Sequence, residues 1–267
     1  QNLYVITYDN RDTGKSTWPT KESAVIKFIK YMPVFIQEPI VNWFFDQMLD
    51  ERGQFKMGGV PSQYNLEDMA LDGISLLDHL KIDKAHIVGA SMGGMIAQVI
   101  ALKYPERVKT FTGIMTTPGF DTTGLSGPYP EYVKAMRESF ILTLQGKPYE
   151  SSEVVNIALI GPSFLKLEYE NLKKILKSMA EHGNNPNSGH MAAVGASPNR
   201  FKKLKEVSIA TLIIHGTEDP LIPVDHGEAI ANQIKNSEKL IIEGMGHNFP
   251  TLVIPAIIEE MVNHFEE

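Results

Sequence analysis

One serine separates a short apolar run from a run with helical character, and glycines stand close on both sides of it: Gly89-Ala90-Ser91-Met92-Gly93-Gly94. Ala85-His86-Ile87-Val88 reads as a buried strand, and Met95 through Leu102 as a helix running toward Pro105. Ser91 must therefore occupy a sharp turn. Gly89 and Gly93 flank it at the two positions where a side chain would crowd strand against helix. Such a turn pushes the hydroxyl out of the sheet, and the helix that follows offers its free N–H groups to an anion. As a bare pattern G-x-S-x-G is weak. The strand before it and the helix after it give it weight.

A nucleophilic serine needs a base, and the base needs an orienting acid. The C-terminal third supplies candidates for both. Ala210 through Gly216 reads as a buried strand, after which Thr217-Glu218-Asp219-Pro220 turns away. Lys239 through Glu243 is another strand, followed by Gly244-Met245-Gly246-His247. Ser91, Asp219 and His247 thus each lie just past the carboxyl end of a predicted strand, where open α/β sheets place their ligands. Glu218 and Asp225 are the alternatives for the acid. Among the other histidines, His215 reads as structural, and His190 as a surface residue or a substrate contact.

Elsewhere, Leu3 to Tyr8 reads as a strand and Thr110 to Met115 as another. Leu66 to Leu80 reads as a helix with Leu66, Met69, Ala70, Gly73, Ile74 and Leu77 on one face. From Thr116 to about Leu204 the strand–helix alternation stops, and helices over Glu131–Leu144 and Glu168–His182 suggest a cap. Val224–Ile234 and Ile254–Phe265 read as the closing helices. Between Ser16 and Gln63, two apolar stretches broken by Pro33 and Pro39 read as a helical hairpin. It is either a second lid wall with an apolar entrance, or ordinary packing or a homodimer patch.

Composition narrows the chemistry. A net charge of -7 lacks the basic footprint of a nucleic-acid binder. The absence of cysteine removes disulfides, thiol nucleophiles and thiolate metal sites. No apolar run is long enough to span a membrane. A cytoplasmic enzyme is the working expectation.

The chain resembles the α/β-hydrolases, in the esterase branch that includes aclacinomycin methylesterase-like and proline-iminopeptidase-like enzymes. The resemblance rests on Tyr8-Asp9-Asn10-Arg11-Asp12-Thr13-Gly14-Lys15-Ser16, the serine turn, Tyr104-Pro105-Glu106-Arg107-Val108, His215 through Pro223, and Gly244-Met245-Gly246-His247. It implies a mostly parallel sheet flanked by helices, with a core of residues 1–115 and 205–267, a helical insertion at about 16–63, and a helical cap over 116–204. It further implies Ser91 as nucleophile, Asp219 as acid, His247 as base and the backbone N–H of Met92 as one oxyanion donor. In the family, strands with a second oxyanion donor precede the Tyr-Asp-x-Arg segment, which this chain reaches almost at once. The expectation is therefore that the N-terminal strands and that donor are missing from this sequence, at a cost of about 2.7–4 kcal/mol of transition-state stabilisation.

The activity these residues imply is cleavage of a small, apolar carboxylic ester by acyl transfer, with no metal or organic cofactor required. An aminopeptidase of the proline-iminopeptidase type is an alternative. It would use acidic residues such as Glu131, Glu138, Glu153, Glu168, Glu170 or Glu181 to hold a substrate amine. Other chemistry on the same scaffold, on C–C bonds or peracids, and a truncated non-catalytic binding homologue are the remaining alternatives.

Overall fold

Four parallel strands, β1 (Ala85–Ala90), β2 (Val108–Ile114), β3 (Thr211–Gly216) and β4 (Ser237–Ile242), form one sheet in the order β1-β2-β3-β4. The structure is a computed structural model that describes residues 3–51, 53–56, 61–183, 185 and 188–266. Ten α-helices are found among those residues. They are α1 (Ala24–Lys30), α2 (Val34–Met48), α3 (Leu66–His79), α4 (Met92–Lys103), α5 (Pro130–Leu144), α6 (Pro148–Leu159), α7 (Pro162–His182), α8 (His190–Gly195), α9 (Val224–Gln233) and α10 (Ile254–His264).

Burial explains why the central strand β3 runs apolar at Leu212-Ile213-Ile214 rather than alternating. In β3 every residue is buried. Ile213 packs with Ala97 of α4 and Ile230 of α9, while Leu212 and Ile214 pack with Ile257 of α10. Helices therefore cover both faces, as a parallel sheet requires. The six residues expected on the apolar face of α3 are all buried, and Asn65 starts that helix with a capping box closed by Asp68.

Because the strands are parallel, their carboxyl ends lie along one edge of the sheet. Ser91, Asp219 and His247 all leave the sheet there, and so does the helical excursion α5–α8 between β2 and β3.

Three expectations are corrected. Leu3–Tyr8 is not a strand. A cleft of about 310 Å³, lined on one side by Ile6, Thr7 and Tyr8 and on the other by β1, lies between that segment and the sheet. A strand exists only through a hydrogen-bonded neighbour, and the chain is anchored instead by side chains just after this segment. Arg11 binds Asp72 of α3 through two hydrogen bonds of 2.8 and 2.7 Å. The buried Asp12 carboxylate accepts from the hydroxyls of Thr20 and Tyr64 (both 2.6 Å), the Asn185 amide (2.7 Å) and the Gly189 N–H (3.1 Å).

Second, Pro39 does not break the hairpin. Pro33 precedes α2, but Pro39 lies inside it, on the exposed face where water can satisfy the carbonyl left without a partner. The inner face of the hairpin, Val41 and Phe45, packs on Phe140 and Leu144 of α5. Its outer face leaves Tyr31 81% and Phe35 74% exposed.

Third, the excursion contains two further helices, α6 and α8. With Ser151-Ser152 and Val154-Val155 in its sequence, α6 has modest helix propensity. Tertiary contacts hold it: the Ser151 hydroxyl lies 2.8 Å from that of Ser139 and 2.7 Å from that of Thr143, both on α5.

Candidate active site

The turn at Ser91 has φ 54° and ψ −121°, a left-handed conformation that a residue with a β-carbon adopts only under constraint. Several hydrogen bonds supply that constraint. Ser91 N–H donates to Ile114 C=O at 2.9 Å, and the Thr116 hydroxyl donates to Ser91 C=O at 2.8 Å. The N–H groups of Gly94 and Met95 then begin α4 on the same carbonyl. A β-carbon on Gly89 would overlap the Gly93 carbonyl, so strand and helix meet here only because residue 89 is glycine. Gly93 is different from expectation: a β-carbon there would meet nothing, and it is Gly94 whose β-carbon would strike Thr116, at 2.6 Å. The first helical turn faces the cleft beside β1 at one glycine and packs on the end of β2 at the next.

His247 Nε2 lies 2.9 Å from Ser91 Oγ, and His247 Nδ1 lies 2.7 Å from Asp219 Oδ2. The other Asp219 oxygen accepts from the N–H groups of Leu221 (3.0 Å) and Ile222 (2.8 Å). Burial of Asp219 works to raise its pKa. The neighbouring His247 charge and hydrogen bonds from His215 and His247 outweigh burial and bring it down to about 2. An ionised carboxylate can only accept, so Nδ1 of His247 carries the proton. Nε2 of the neutral ring is then free to accept from the Ser91 hydroxyl. This geometry can transfer a proton from serine to imidazole while Asp219 holds the ring and balances its charge. Met92 is the first residue of α4, so its N–H is free of the helix ladder beside Ser91.

The alternative acids go elsewhere. Glu218 accepts from the N–H and hydroxyl of Ser163, and Asp225 accepts from Ser126 N–H. His215 is fully buried, with Nε2 2.7 Å from Ile222 C=O. His190 Nε2 lies 2.7 Å from Arg11 C=O. Of the six glutamates weighed for holding an amine, Glu168 alone is buried, and its oxygens accept from Thr251 and Asn171. Beside His247 a cavity of about 210 Å³ is walled by Leu159, Ile160, Leu172, Ile175 and Phe249, with Asn156, Glu168 and Asn248 as its polar lining. Sequence patterns did not identify Thr116 or the wall residue Leu159, and they singled out Glu168 only as one of six possible amine-holding carboxylates. Their roles arise from long-range pairing, and the one local trace is Gly161-Pro162-Ser163, a helix-start signature.

Known hydrolases resemble this chain along most of its length. Over 268 residues the chain is 27% identical to rhodomycin D methylesterase DnrP of Streptomyces peucetius, covering 94% of this chain and 77% of the relative. It is 30% identical over 221 residues to 2-hydroxy-6-oxononadienedioate/2-hydroxy-6-oxononatrienedioate hydrolase 1 of Pseudomonas putida, covering 79% and 73% of the two chains. Among solved structures, the enol-lactonase from Burkholderia xenovorans LB400 superposes with a TM-score of 0.63 at 17% identity, covering 82% of this chain and 79% of that one. The model of the alpha/beta hydrolase fold matches residues 4–250, and the chain belongs to that family.

Proposed function

We propose that this protein is a serine hydrolase that cleaves a carboxylic ester, with α5–α8 as a cap over a core built from residues 1–115 and 205–267. The observation that carries this reading is the continuous chain from Ser91 Oγ through His247 to Asp219, at 2.9 and 2.7 Å. His247 takes the hydroxyl proton as Ser91 Oγ attacks the ester carbonyl, and the Met92 N–H stabilises the oxyanion. His247 then returns the proton to the leaving alcohol, and the acyl group stays on Ser91. Water, deprotonated by His247, attacks the acyl-enzyme and releases the acid and the free serine. Asp219 remains ionised throughout.

The methylesterase relative favours ester chemistry. The cavity walled by Leu159, Leu172, Ile175 and Phe249 favours a small substrate with an apolar group. The aminopeptidase alternative is weaker because Glu168, the one glutamate lining the cavity, is already hydrogen-bonded to Thr251 and Asn171.

Intact mass after exposure to a fluorophosphonate tests the nucleophile. One adduct is expected on the wild-type protein and none on Ser91→Ala. Turnover of p-nitrophenyl esters should exceed that of proline anilides. An adduct that survives in Ser91→Ala, or preferential anilide cleavage, would contradict the reading.

A further inference from the structure

The loop that carries His247 has no ladder of its own. Between β4 and α10 it runs through Gly244-Met245-Gly246 and Pro250 without regular structure, and its neighbours must hold it. Before the histidine, Gly244 N–H donates to the Thr217 hydroxyl at 2.9 Å and Met245 C=O accepts from Glu218 N–H at 3.0 Å; from His247 onward, helix α7 and the turn before it supply the contacts. The His247 N–H donates to Leu159 C=O at 2.7 Å. A β-carbon on Gly246 would run into Leu159 C=O and Gly161 N, so loop and turn touch backbone to backbone. Four residues past His247, Thr251 N–H donates to Glu168 Oε1 at 2.9 Å, and the Thr251 hydroxyl donates to Oε2 at 3.2 Å. Asn171, one turn further along α7, donates to Oε2 at 3.1 Å. Glu168 is 5% exposed, so these bonds form away from competing water.

We propose that Glu168 is a positioning residue for His247: its carboxylate ties the far side of the histidine loop to α7 and so holds the imidazole against Ser91. The role rests on the hydrolase reading above, in which His247 is the base. With Glu168 removed, Thr251 N–H loses its acceptor and Asn171 alone ties Thr251 to α7, at 3.3 Å, while the loop keeps its hold at Gly244, Met245 and His247. A displacement of about 1 Å at a reacting group costs roughly 100-fold in rate. On this reading the contact acts through reach rather than charge: a glutamine at residue 168 keeps an acceptor for Thr251 N–H, and its nitrogen can donate to Thr251 Oγ and, with the Asn171 amide turned over, to Asn171 Oδ1.

Two substitutions separate reach from charge. Glu168→Gln keeps the reach and drops the charge, whereas Glu168→Asp keeps the charge and shortens the reach by one methylene. Steady-state ester kinetics on the full chain are expected to place Gln within about threefold of wild type in kcat. Asp should fall at least tenfold and Glu168→Ala about 100-fold, each with KM within twofold. In parallel, the low-field proton resonance of His247 Nδ1–H should persist in Gln and broaden or shift in Asp. That resonance is read without turnover. If no ester is cleaved by wild type, the hydrolase reading fails while the tether is still judged by NMR. The proposal is overturned if Asp outperforms Gln, if the loss appears in KM rather than kcat, or if the His247 resonance is the same in all variants. The Gln and Asp pair decides the matter even where Glu168→Ala does not fold.

Discussion

Gly89 and Gly93 meet at the strand–helix junction so closely that the carbonyl of Gly93 occupies the space a β-carbon on Gly89 would need. The contact is between backbones, with no flexible side-chain end to swing aside. It holds the first turn of α4 against β1 and so sets where Ser91 projects. Gly89→Ala is expected to destabilise the fold by about 3 kcal/mol or more. Gly93→Ala adds a methyl group in open space within a helix and should be neutral or stabilising by roughly 0.5–1 kcal/mol. Urea unfolding of both variants checks this, and equal losses would refute it.

Asp219 is held ionised by its neighbours, which links it to acid stability. Its folded pKa of about 2 lies below the ordinary carboxylate value of 3.8. Its contribution is therefore complete above about pH 4 and is lost as pH falls through about 2, amounting to about 2 kcal/mol. Asp12 is shifted in the same direction: burial opposes ionisation, but hydrogen bonds from Thr20, Tyr64, Gly189 and Asn185 outweigh it. Urea midpoints should fall steeply between pH 4 and pH 2. Asp219→Asn should flatten that slope, and an unchanged slope would show that other groups govern acid unfolding.

In place of the ionised Asp219, an asparagine would offer an amide that can either donate to or accept from His247 Nδ1. When it donates, the ring proton moves to Nε2, which then cannot accept from Ser91. Asp219→Asn is expected to lower kcat roughly ten-thousandfold with little change in KM. Ester kinetics together with circular dichroism test this; a loss below tenfold in a folded variant would remove Asp219 from the orienting role.

Asp12 joins four parts of the chain through one buried carboxylate. Asp12→Ala would strand the Thr20 and Tyr64 hydroxyls, the Asn185 amide and the Gly189 N–H at once. The expected cost is about 3 kcal/mol, or roughly 6–12 °C in Tm. Calorimetry gives the answer, and a shift under about 2 °C would mean that water replaces the carboxylate at each donor.

Local pattern made much of this fold legible. The six residues of the α3 stripe, the strands around 85–90 and 211–216, and the chain order Ser91, Asp219, His247 all follow from periodicity and turn chemistry. These are properties of adjacent residues, and adjacent residues are what a sequence displays. Leu3–Tyr8 shows the limit: its β-rich composition is real, but strand structure needs a hydrogen-bonded partner that composition does not reveal. In α6, the converse holds, because a weak helix former is held by hydroxyls on α5.

The sequence by itself determined the turn at Ser91 and set a serine, a histidine and a short run of candidate acids at strand ends. Tertiary structure decided which acid meets the histidine, since Glu218 and Asp219 on the β3–α9 loop and Asp225 in the first turn of α9 lie within eight residues and differ in where the fold aims them. It also decided that Glu168 and Leu159 hold the histidine loop. Both outcomes depend on pairings between residues 28 to 156 positions apart. Such pairings are set by how the sheet, the excursion and the loops pack together, and no local propensity encodes them.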